Sequence, residues 1–383
     1  MLKAYRYRIY PTAGQAEMLA KQFGCVRFVY NWGLARKIEQ YAQIGKSETR
    51  FQLDKQLTVL KTDKQWLTEV ASQPLQQSLV NLERAFTKFF KEKKGFPKFH
   101  SKHTHNSAAY PQGVGVDFES NRITVPKLGK VKAKLSRGFE GKIRTCTINR
   151  NKAGQFHISV LVDVENQDAT PKPEVIETAV GVDLGIKHFA TLSYRDERTG
   201  RSTGEKIENP RHLGNALARL KVLHKRFSRT KKGGKNREKA RVRLARAYQR
   251  VTDCRNDFLH KVSSDLVKRF DTICLETLNV AGMVKNHKLA RHISDAGWSR
   301  FADFCEYKTA WVGKHTRYIG RFEPSSRVCG CGWYNRELKL SIREWLCPAC
   351  NTLNDRDGLA AENIKKFAFL NTSSDRRSEL GEA

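Results

Sequence analysis

Hydrophobic and polar residues at the start of the chain follow two different periods. Residues 3–10 alternate between apolar and charged side chains and end at Pro11, which predicts a strand with a basic face. Thr12 and Gln15 then have the spacing of a capping box, so a helix is predicted from there to about residue 41. The chain therefore begins with a strand that leads directly into a long helix.

A second helix and a β region follow. The apolar residues of 75–90 recur at the spacing of one helix face, and the sequence GFPKF at 95–99 ends this predicted helix. Short alternating segments with Gly and Pro between them fill 107–165. They predict an antiparallel β region that the first strand completes into a small barrel. The polar segment 167–177, which contains Pro, is typical of a linker.

The chain after this linker combines apolar strands with long helices. The predicted elements are a strand pair at 179–194, helices over 211–270, a strand at 271–280, a helix at 289–312, a strand at 316–322 and a helix at 360–369. Residues 371–383 are polar and predict a disordered tail. Together these segments indicate an α+β chain with more than one domain.

The charge of the chain points to a partner. Its 383 residues include 71 Lys or Arg and 39 Asp or Glu, a formal net charge of +32, and a hydrophobic content of 39% excludes a disordered polycation. Such an excess repels itself unless a polyanion neutralises it, so nucleic acid is the expected partner.

No apolar run reaches the length of a membrane span, and the N-terminus lacks the apolar stretch of a signal peptide. We therefore expect no membrane partner; the cytoplasmic location that we also expect is implied by the family resemblance described below.

The nine cysteines are unevenly distributed along the chain. Five are scattered, whereas Cys329, Cys331, Cys347 and Cys350 form a cluster with 15 residues between its two halves. An odd count with one cluster favours a reducing compartment and a metal site over a disulfide framework. Four thiolates at this spacing favour one structural Zn²⁺, and a weakened site or no metal are the alternatives.

Three acidic residues stand at the ends of predicted elements. Val180 and Val182 share the apolar face of one strand, which puts Asp183 on the opposite face. The same alternation of apolar and polar positions puts Glu276 opposite the apolar face of a later strand. Asp357 precedes an apolar helical stripe and so lies at a helix N-terminus, where the macrodipole favours a carboxylate. A single Asp after a strand is usually a turn or cap residue, but three such carboxylates are what a two-metal nuclease needs.

Several segments together resemble one known family. They are GVDLGIKHFATLS, LETLNVAGMVKN, PSSRVCGCG, CPAC and DRDGLAAENI, with YRYRIYP, FGCVRFVYNWGL and KGFPKF upstream. In order and spacing they are similar to the TnpB family of transposon-encoded RNA-guided nucleases, relatives of the type V CRISPR effectors, over residues 3–365. The resemblance implies a RuvC-like RNase H fold in which Asp183, Glu276 and Asp357 hold two catalytic Mg²⁺ ions. Asp355 is the local competitor of Asp357.

The resemblance also implies how the chain is divided. The expected domains are a wedge-like β-barrel formed by 1–15 and 100–170, a helical recognition insert at 16–99, a RuvC-like nuclease formed by 176–323 and 353–370, and a zinc-ribbon finger at 324–352 that binds target nucleic acid. The protein would read a short motif and the shape of the duplex, while base pairing reads sequence. The expected partners are a guide RNA encoded beside the gene and double-stranded target DNA, and protein partners stay undetermined.

The sequence departs from the family pattern at three places. The first zinc knuckle is Cys329-x-Cys331, one residue shorter than the usual Cys-x-x-Cys of the family. Leu359 stands where the family usually has Asn, and Thr277 stands where Asp usually follows the acidic residue. Both are positions of helix packing or of contacts around the metal ligands. The shortened knuckle would strain the zinc tetrahedron or leave one position to water. The other two departures would lower activity without removing a metal ligand, and since all three acidic residues are present we expect an active enzyme.

Phosphate contacts are expected from two basic segments. Residues 211–250 include 15 Lys or Arg and one acidic residue, which leaves almost no compensating i,i+4 ion pairs. The candidate contacts are Arg6, Arg8, Lys127, Lys130 and Lys132 in the N-terminal part, and Lys231, Lys232, Lys235, Arg237, Lys239, Arg241 and Arg243 in the helical run. The histidines of HSKHTH, which are His100, His103 and His105, are instead expected to form a solvated loop.

Together these features predict a transposon-encoded, Mg²⁺-dependent DNA endonuclease that a guide RNA directs to sites next to a short motif. One alternative is a guided DNA-binding regulator with weak or no nuclease activity, for which Leu359 is the best support. The other alternative is a conventional transposase. Its acidic residues would be expected in the order Asp–Asp–Glu, whereas the order here is Asp–Glu–Asp.

Overall fold

The chain folds into two compact units, residues 1–166 and 167–383. The structure is a computed structural model that describes residues 1–103, 105–164, 178–196, 199–200, 202–339 and 341–379, with backbone alone over 371–379. The linker predicted at 167–177 lies outside the described residues. Within the described part, no helix combines the length and the apolar character that a membrane crossing requires.

The described part of the first unit contains a seven-stranded sheet and three α-helices. Its elements are β1 (Leu2–Tyr10), α1 (Ala13–Ile44), α2 (Arg50–Asp63), α3 (Ser72–Glu92), β2 (Ser107–Tyr110), β3 (Gly115–Asp117), β4 (Arg122–Val125), β5 (Gly129–Lys134), β6 (Lys142–Arg150) and β7 (Phe156–Asp163). Thr12 and Gln15 make both hydrogen bonds of the predicted capping box. The second predicted helix is α3. The sequence did not predict α2, because its buried apolar stripe is only Leu53 and Leu57.

The sheet of the first unit is open. Its strand order is β2-β6-β7-β1-β5-β4-β3, and β2 and β3 form no pair among the described residues. The prediction of a closed β-barrel was therefore wrong. One face of the sheet carries the core, in which Tyr7 and Ile9 of β1 are buried in one cluster with Leu19 and Phe23 of α1. Because helices cover this face, the sheet buries its apolar side without closing on itself.

The second unit alternates strands and helices. Its described elements are β8 (Ala179–Leu184), β9 (His188–Arg195), β10 (Ser202–Glu208), α4 (His212–Ser228), α5 (Lys235–Arg269), β11 (Thr272–Glu276), α6 (Val280–Met283), α7 (Ala290–Ala296), α8 (Trp298–Trp311), β12 (His315–Ile319), β13 (Glu344–Leu346), β14 (Leu353–Asp355) and α9 (Arg356–Glu379). Gly297, with a φ of +73°, separates α7 from α8 where a single helix was predicted. Residues 371–379 of the predicted disordered tail continue α9, and the rest of that tail, 380–383, lies outside the described residues.

The sheet of the second unit has the strand order β10-β9-β8-β11-β12. The strand β9 runs antiparallel to both β8 and β10, whereas β8, β11 and β12 are parallel. One face packs against α5, α7 and α8, and the other face packs against α9. The carboxyl ends of the neighbouring parallel strands β8 and β11 meet at one edge, which is where sheets covered by helices commonly form their ligand sites.

Candidate functional site

Two of the predicted acidic residues lie side by side at the ends of neighbouring strands. In the parallel pair β8–β11, Val182 lies opposite Leu275, and both side chains belong to the apolar core. Asp183 and Glu276 are the next residues along each strand, so their side chains point to the opposite face, toward α9. Because neighbouring strands lie about 5 Å apart, the two carboxylates share one site.

The third acidic residue, Asp357, lies in the first turn of α9. This helix packs tightly on β8, because a Cβ atom added to Gly181 would lie 1.9 Å from the carbonyl oxygen of Ala361. Only glycine permits so close an approach of the two backbones. The close packing brings the N-terminal end of α9 to the carboxyl end of β8, where Asp183 lies.

The charged form of Asp183 is disfavoured by its surroundings. Burial raises the pKa of Asp183 to about 8, and the charges of Glu276 and Asp357 contribute to the rise. The nearby Arg356 and Arg343 act in the opposite direction without compensating for it. A buried carboxylate next to other carboxylates is stabilised by positive charge, and divalent cations that prefer hard oxygen ligands supply it. These residues therefore fit Mg²⁺.

Two of the acidic residues are bonded to the segment 324–352, the predicted finger. Arg343 Nη1 lies 2.9 Å from Asp357 Oδ1, and Ser325 donates a hydrogen bond of 2.7 Å to Glu276 Oε1. Sequence reasoning missed both partners, because no local pattern connects them to the acidic residues. The finger therefore contacts the acidic cluster directly.

Asp355, the competitor of Asp357, has a different partner. Its Oδ2 atom lies 2.7 Å from Lys206 Nζ on β10. The carboxylates that raise the pKa of Asp183 are those of Glu276 and Asp357. The geometry thus favours Asp357 as the third member of the acidic cluster.

The four clustered cysteines come together in the structure. Their sulfur atoms lie within 4.8 Å of one another, with 3.6 Å between Cys329 and Cys350 and 3.7 Å between Cys331 and Cys347. Tetrahedral Zn–S bonds of about 2.3 Å place the sulfur atoms about 3.8 Å apart, so this donor set fits Zn²⁺. In the shortened knuckle, Gly332 takes a φ of +91° and turns the chain directly after the second cysteine.

The finger shares its core with the first turns of α9. Leu359 is buried with Trp345 and two of the cysteines, and Asn363 donates hydrogen bonds of 2.7 and 2.6 Å to two carbonyl oxygens of the finger. Leu359 is thus a packing residue at the junction of finger and helix. Thr277, the other departure from the family pattern, donates a hydrogen bond to the carbonyl oxygen of Ile319 and ties β11 to β12.

Basic side chains cover the outer face of the sheet in the first unit. On the face of β1 opposite the core, Arg6 is exposed and Arg8 is half-buried. Arg8 lies opposite Lys134 in the sheet register, and Arg122 lies opposite Lys132. The other predicted contacts of this region, Lys127 and Lys130, are also exposed. Like charges in opposite positions destabilise a sheet, so this face favours an anionic partner.

The seven basic residues predicted as contacts in the helical run lie at the turn between α4 and α5 and along the start of α5. Those exposed to solvent are Lys231, Lys232, Lys235, Lys239 and Arg243. Arg237 instead donates hydrogen bonds to the carbonyl oxygens of Phe227 and Thr230. Arg241 forms an ion pair with Glu238. Arg237 thus stabilises the turn, Arg241 is paired within α5, and the other five direct their charges toward solvent.

A polar pocket of about 300 Å³ lies between α1, α3 and β6 in the first unit. The wall formed by α3 includes the polar side chains of Gln77, Asn81 and Arg84. His100 stacks between Tyr30 and His105, with ring centroids 3.7 and 3.6 Å apart. Burial lowers the pKa of His100 to about 4, and the prediction of a solvated loop is wrong for this residue. Sequence reasoning missed the pocket, although its α3 residues recur at helical spacing opposite the apolar stripe.

Comparison with known proteins gives matches along most of the chain. A family profile described as "Probable transposase" matches residues 157–287, one described as "Helix-turn-helix domain" matches 1–46, and one described as "Cas12f1-like, TNB domain" matches 298–364. Residues 1–46 contain one strand and one helix in the structure, so the second description does not correspond to the fold here.

Two curated relatives and one solved structure extend over nearly the full length. A protein of Streptomyces pristinaespiralis described as "Putative RNA-guided DNA endonuclease" is 39% identical over 94% of this chain and 88% of its own length. The Escherichia coli K12 protein "Putative RNA-guided DNA endonuclease InsQ" is 31% identical over 95% of this chain and 91% of its own. The cryo-EM structure of a Cas12f1–sgRNA–target DNA complex has a TM-score of 0.58 at 13% identity, covering 95% of this chain and 98% of that chain. This last likeness concerns the fold alone.

Proposed function

The chain belongs to the TnpB family of transposon-encoded RNA-guided DNA endonucleases, and we propose that it cuts double-stranded DNA at sites selected by a bound guide RNA. The names of its two full-length relatives support this activity. The net charge of +32 suits a protein that binds two polyanions, the guide RNA and the target DNA. In this proposal the guide RNA is encoded beside the gene.

The observation that carries the proposal is the convergence of three carboxylates. Asp183 and Glu276 leave adjacent parallel strands on the same face, and Asp357 begins the helix that packs on that face. We assign to them two Mg²⁺ ions, which when bound would activate a water molecule and neutralise charge on the reacting phosphate. Asp183, which feels the charges of both other carboxylates, would hold the ions together with Glu276 and Asp357. The sheet around them is the proposed RuvC-like core.

Neighbouring groups hold these carboxylates in place. The hydrogen bond from Ser325 orients the side chain of Glu276, and the first turn of α9 fixes the position of Asp357. The guanidinium of Arg343 pairs with Asp357 in the protein alone. Because Arg343 lies beside the carboxylates that would hold the cations, its guanidinium would be placed to bind a phosphate of the target strand.

The finger and the polar pocket complete the proposed division of roles. The four cysteines would hold one structural Zn²⁺, which fixes the finger beside the acidic cluster. In the pocket of the first unit, the amide side chains of Gln77 and Asn81 have the donor and acceptor groups that pair with base edges. We propose that this pocket reads the short motif beside the target, while guide pairing reads the rest.

The decisive experiment is plasmid cleavage by the protein purified with its own RNA. With Mg²⁺, the chain should cut a plasmid that matches this RNA and leave an unmatched plasmid intact. Asp183→Asn keeps the shape and removes the charge, so it should lower cleavage more than about 100-fold while RNA and DNA binding persist. Asp355→Asn is the matched control and should keep most of the activity, because Asp355 pairs with Lys206 instead.

The outcomes separate the three candidate functions. Guided binding without cleavage by the unmodified chain would support a DNA-binding regulator. Joining of DNA ends without RNA would support a conventional transposase. Full cleavage by Asp183→Asn would refute the assignment of the acidic cluster.

A further inference from the structure

A groove of about 800 Å³ runs along one side of the helix pair α4 and α5. Its α4 wall extends from His212 to Arg226, which corresponds to about 21 Å of helix. Its α5 wall extends from Arg243 to Cys254. The groove contains none of the residues of the acidic cluster or the finger, and it is long enough for several nucleotides of an extended strand.

Five arginines form the rims of this groove. They are Arg219 and Arg226 on α4 and Arg243, Arg246 and Arg250 on α5. All five are exposed, and none of them has an ion-pair partner in the part of the chain that the structure describes. Facing rows of like charge repel each other, so the helix pair gains stability when a polyanion lies between them.

The floor between the two rims is apolar. Its apolar residues are Ala216 and Leu223 on α4 and Ala247 on α5, which are half-buried, together with Leu220 and Val251, which are buried. A nucleic-acid duplex presents its phosphates and keeps the faces of its bases inside, so such a floor offers it no contact. Unpaired bases expose their flat faces, which pack on apolar side chains while arginines bind the adjoining phosphates. The composition of the groove therefore selects a single strand.

We propose that this groove binds an unpaired stretch of the guide RNA, with the phosphates on the arginine rims and the bases on the apolar floor. The inference rests on the proposed function, which supplies the guide RNA. Facing arginines need a counter-charge before any target DNA arrives, and the guide RNA is the polyanion that resides on the protein at that stage. RNA is therefore the occupant, and the displaced DNA strand is not.

Cys254 allows the occupancy of the groove to be measured. It lines the groove and is exposed, whereas the other cysteines outside the finger are buried. In the RNA–protein complex, alkylation of Cys254 by iodoacetamide, followed by peptide mass spectrometry, should be at least about tenfold slower than after ribonuclease digestion. An unstructured RNA of about 10 nucleotides should then restore protection. A self-complementary RNA of the same length, annealed into a duplex, should not.

A substitution in the floor tests the packing of bases without a change of charge. Ala247→Phe fills the groove and should weaken binding of the unstructured RNA about tenfold. Ala218→Phe places the same side chain at an exposed position of α4 outside the groove and should leave binding unchanged. Circular dichroism establishes that both variants keep their helices.

A pair of charge-matched variants tests the rims. Arg219→Gln with Arg246→Gln should abolish the preference for unpaired over duplex RNA. Lys221→Gln with Lys225→Gln removes the same charge from exposed positions of α4 outside the groove and should preserve that preference. Equal effects of the two double variants would show that the arginines act only through general charge and would overturn the proposal.

Two further results would overturn the proposal. One is an unchanged alkylation rate of Cys254 with and without RNA, or equal protection by the duplex. The other is protection by unstructured DNA but not by unstructured RNA, which would assign the groove to a DNA strand. Guided cleavage is measured in a separate assay. If the protein cleaves but RNA does not protect Cys254 from alkylation, the groove proposal alone is refuted. If RNA protects Cys254 but the protein does not cleave, the proposed function alone is refuted.

Discussion

At the scale of single residues, the ion pair between Arg343 and Asp357 affects how readily the acidic cluster takes up a cation. The contact of 2.9 Å puts a positive charge on a carboxylate that a divalent ion would otherwise neutralise. The arginine side chain is exposed, so water screens the pair, and such pairs contribute about 0.2–1 kcal/mol. In the proposed function, Arg343 therefore competes with the cation for Asp357, but only modestly.

Replacing Arg343 by Ala should raise the affinity of the nucleic-acid-free protein for divalent cations by about two- to fivefold, since that is the factor to which the energy of an exposed pair corresponds. Titration with Mn²⁺ followed by electron paramagnetic resonance measures this without any cleavage assay. Arg336→Ala removes the same charge from another exposed position of the finger and should leave the affinity unchanged. A lower affinity in Arg343→Ala would mean that Arg343 organises the cluster.

The sequence predicts the acidic residues better than it predicts their partners. Alternation along a strand is a local property, so it fixes the face on which Asp183 and Glu276 emerge. Arg343 and Ser325 reach the same site only because the finger folds back on α9. No periodicity encodes a contact between segments so far apart in the chain, and these two residues could be found only from the folded structure.

At the scale of elements, the packing of α9 on β8 sets the position of Asp357. In Gly181→Ala the new Cβ would lie 1.9 Å from the carbonyl oxygen of Ala361, so the helix must move away and take Asp357 with it. We expect a loss of about 1–3 kcal/mol in the free energy of unfolding and weaker Mn²⁺ binding. Gly204→Ala on β10 is the control, because its nearest neighbour would be 3.8 Å away. Unchanged unfolding of Gly181→Ala would contradict the packing described here.

The zinc finger should stabilise the start of α9, because Leu359 belongs to the finger core. We expect one Zn²⁺ per chain by elemental analysis, in spite of the shortened knuckle. Cys350→Ser should lose the zinc, lower the melting temperature and weaken Mn²⁺ binding at the neighbouring acidic cluster. Cys254→Ser, which changes an exposed cysteine outside the finger, should retain the zinc. Substoichiometric zinc in the unmodified chain would mean that the shortened knuckle weakens the site.

Elements with a long and regular period were predicted, and short or weakly amphipathic elements were not. The strand β1 and the helices α1 and α3 match their predicted positions closely, because each buries one continuous face. The strands β13 and β14 have three residues each, which is too short for an alternating hydrophobic pattern to be recognised. The prediction of a barrel was wrong for another reason. A sheet closes only when its two edge strands pair, and the alternation of hydrophobic residues along a strand does not determine that pairing.

At the scale of the whole molecule, the net charge of +32 is distributed over both units. In the first unit, basic residues lie opposite one another across the strands β1, β4 and β5. In the second unit, arginines face one another across the groove of α4 and α5. The composition predicts that the chain needs a polyanion. Only the strand register and the arrangement of the two helices show where basic residues lie close enough to repel one another.

The bound RNA should therefore stabilise the protein strongly at low salt. A ligand at about 1,000 times its dissociation constant contributes about 4 kcal/mol to the free energy of unfolding, so the RNA-bound chain should melt at a clearly higher temperature than the chain after ribonuclease treatment. Added salt screens the repulsion and weakens RNA binding, so the difference should shrink as the ionic strength rises. Differential scanning fluorimetry of both forms over a salt series measures this. Equal melting temperatures at low salt would mean that the repulsion between basic residues is relieved within the protein itself, and that the excess charge is not a binding surface.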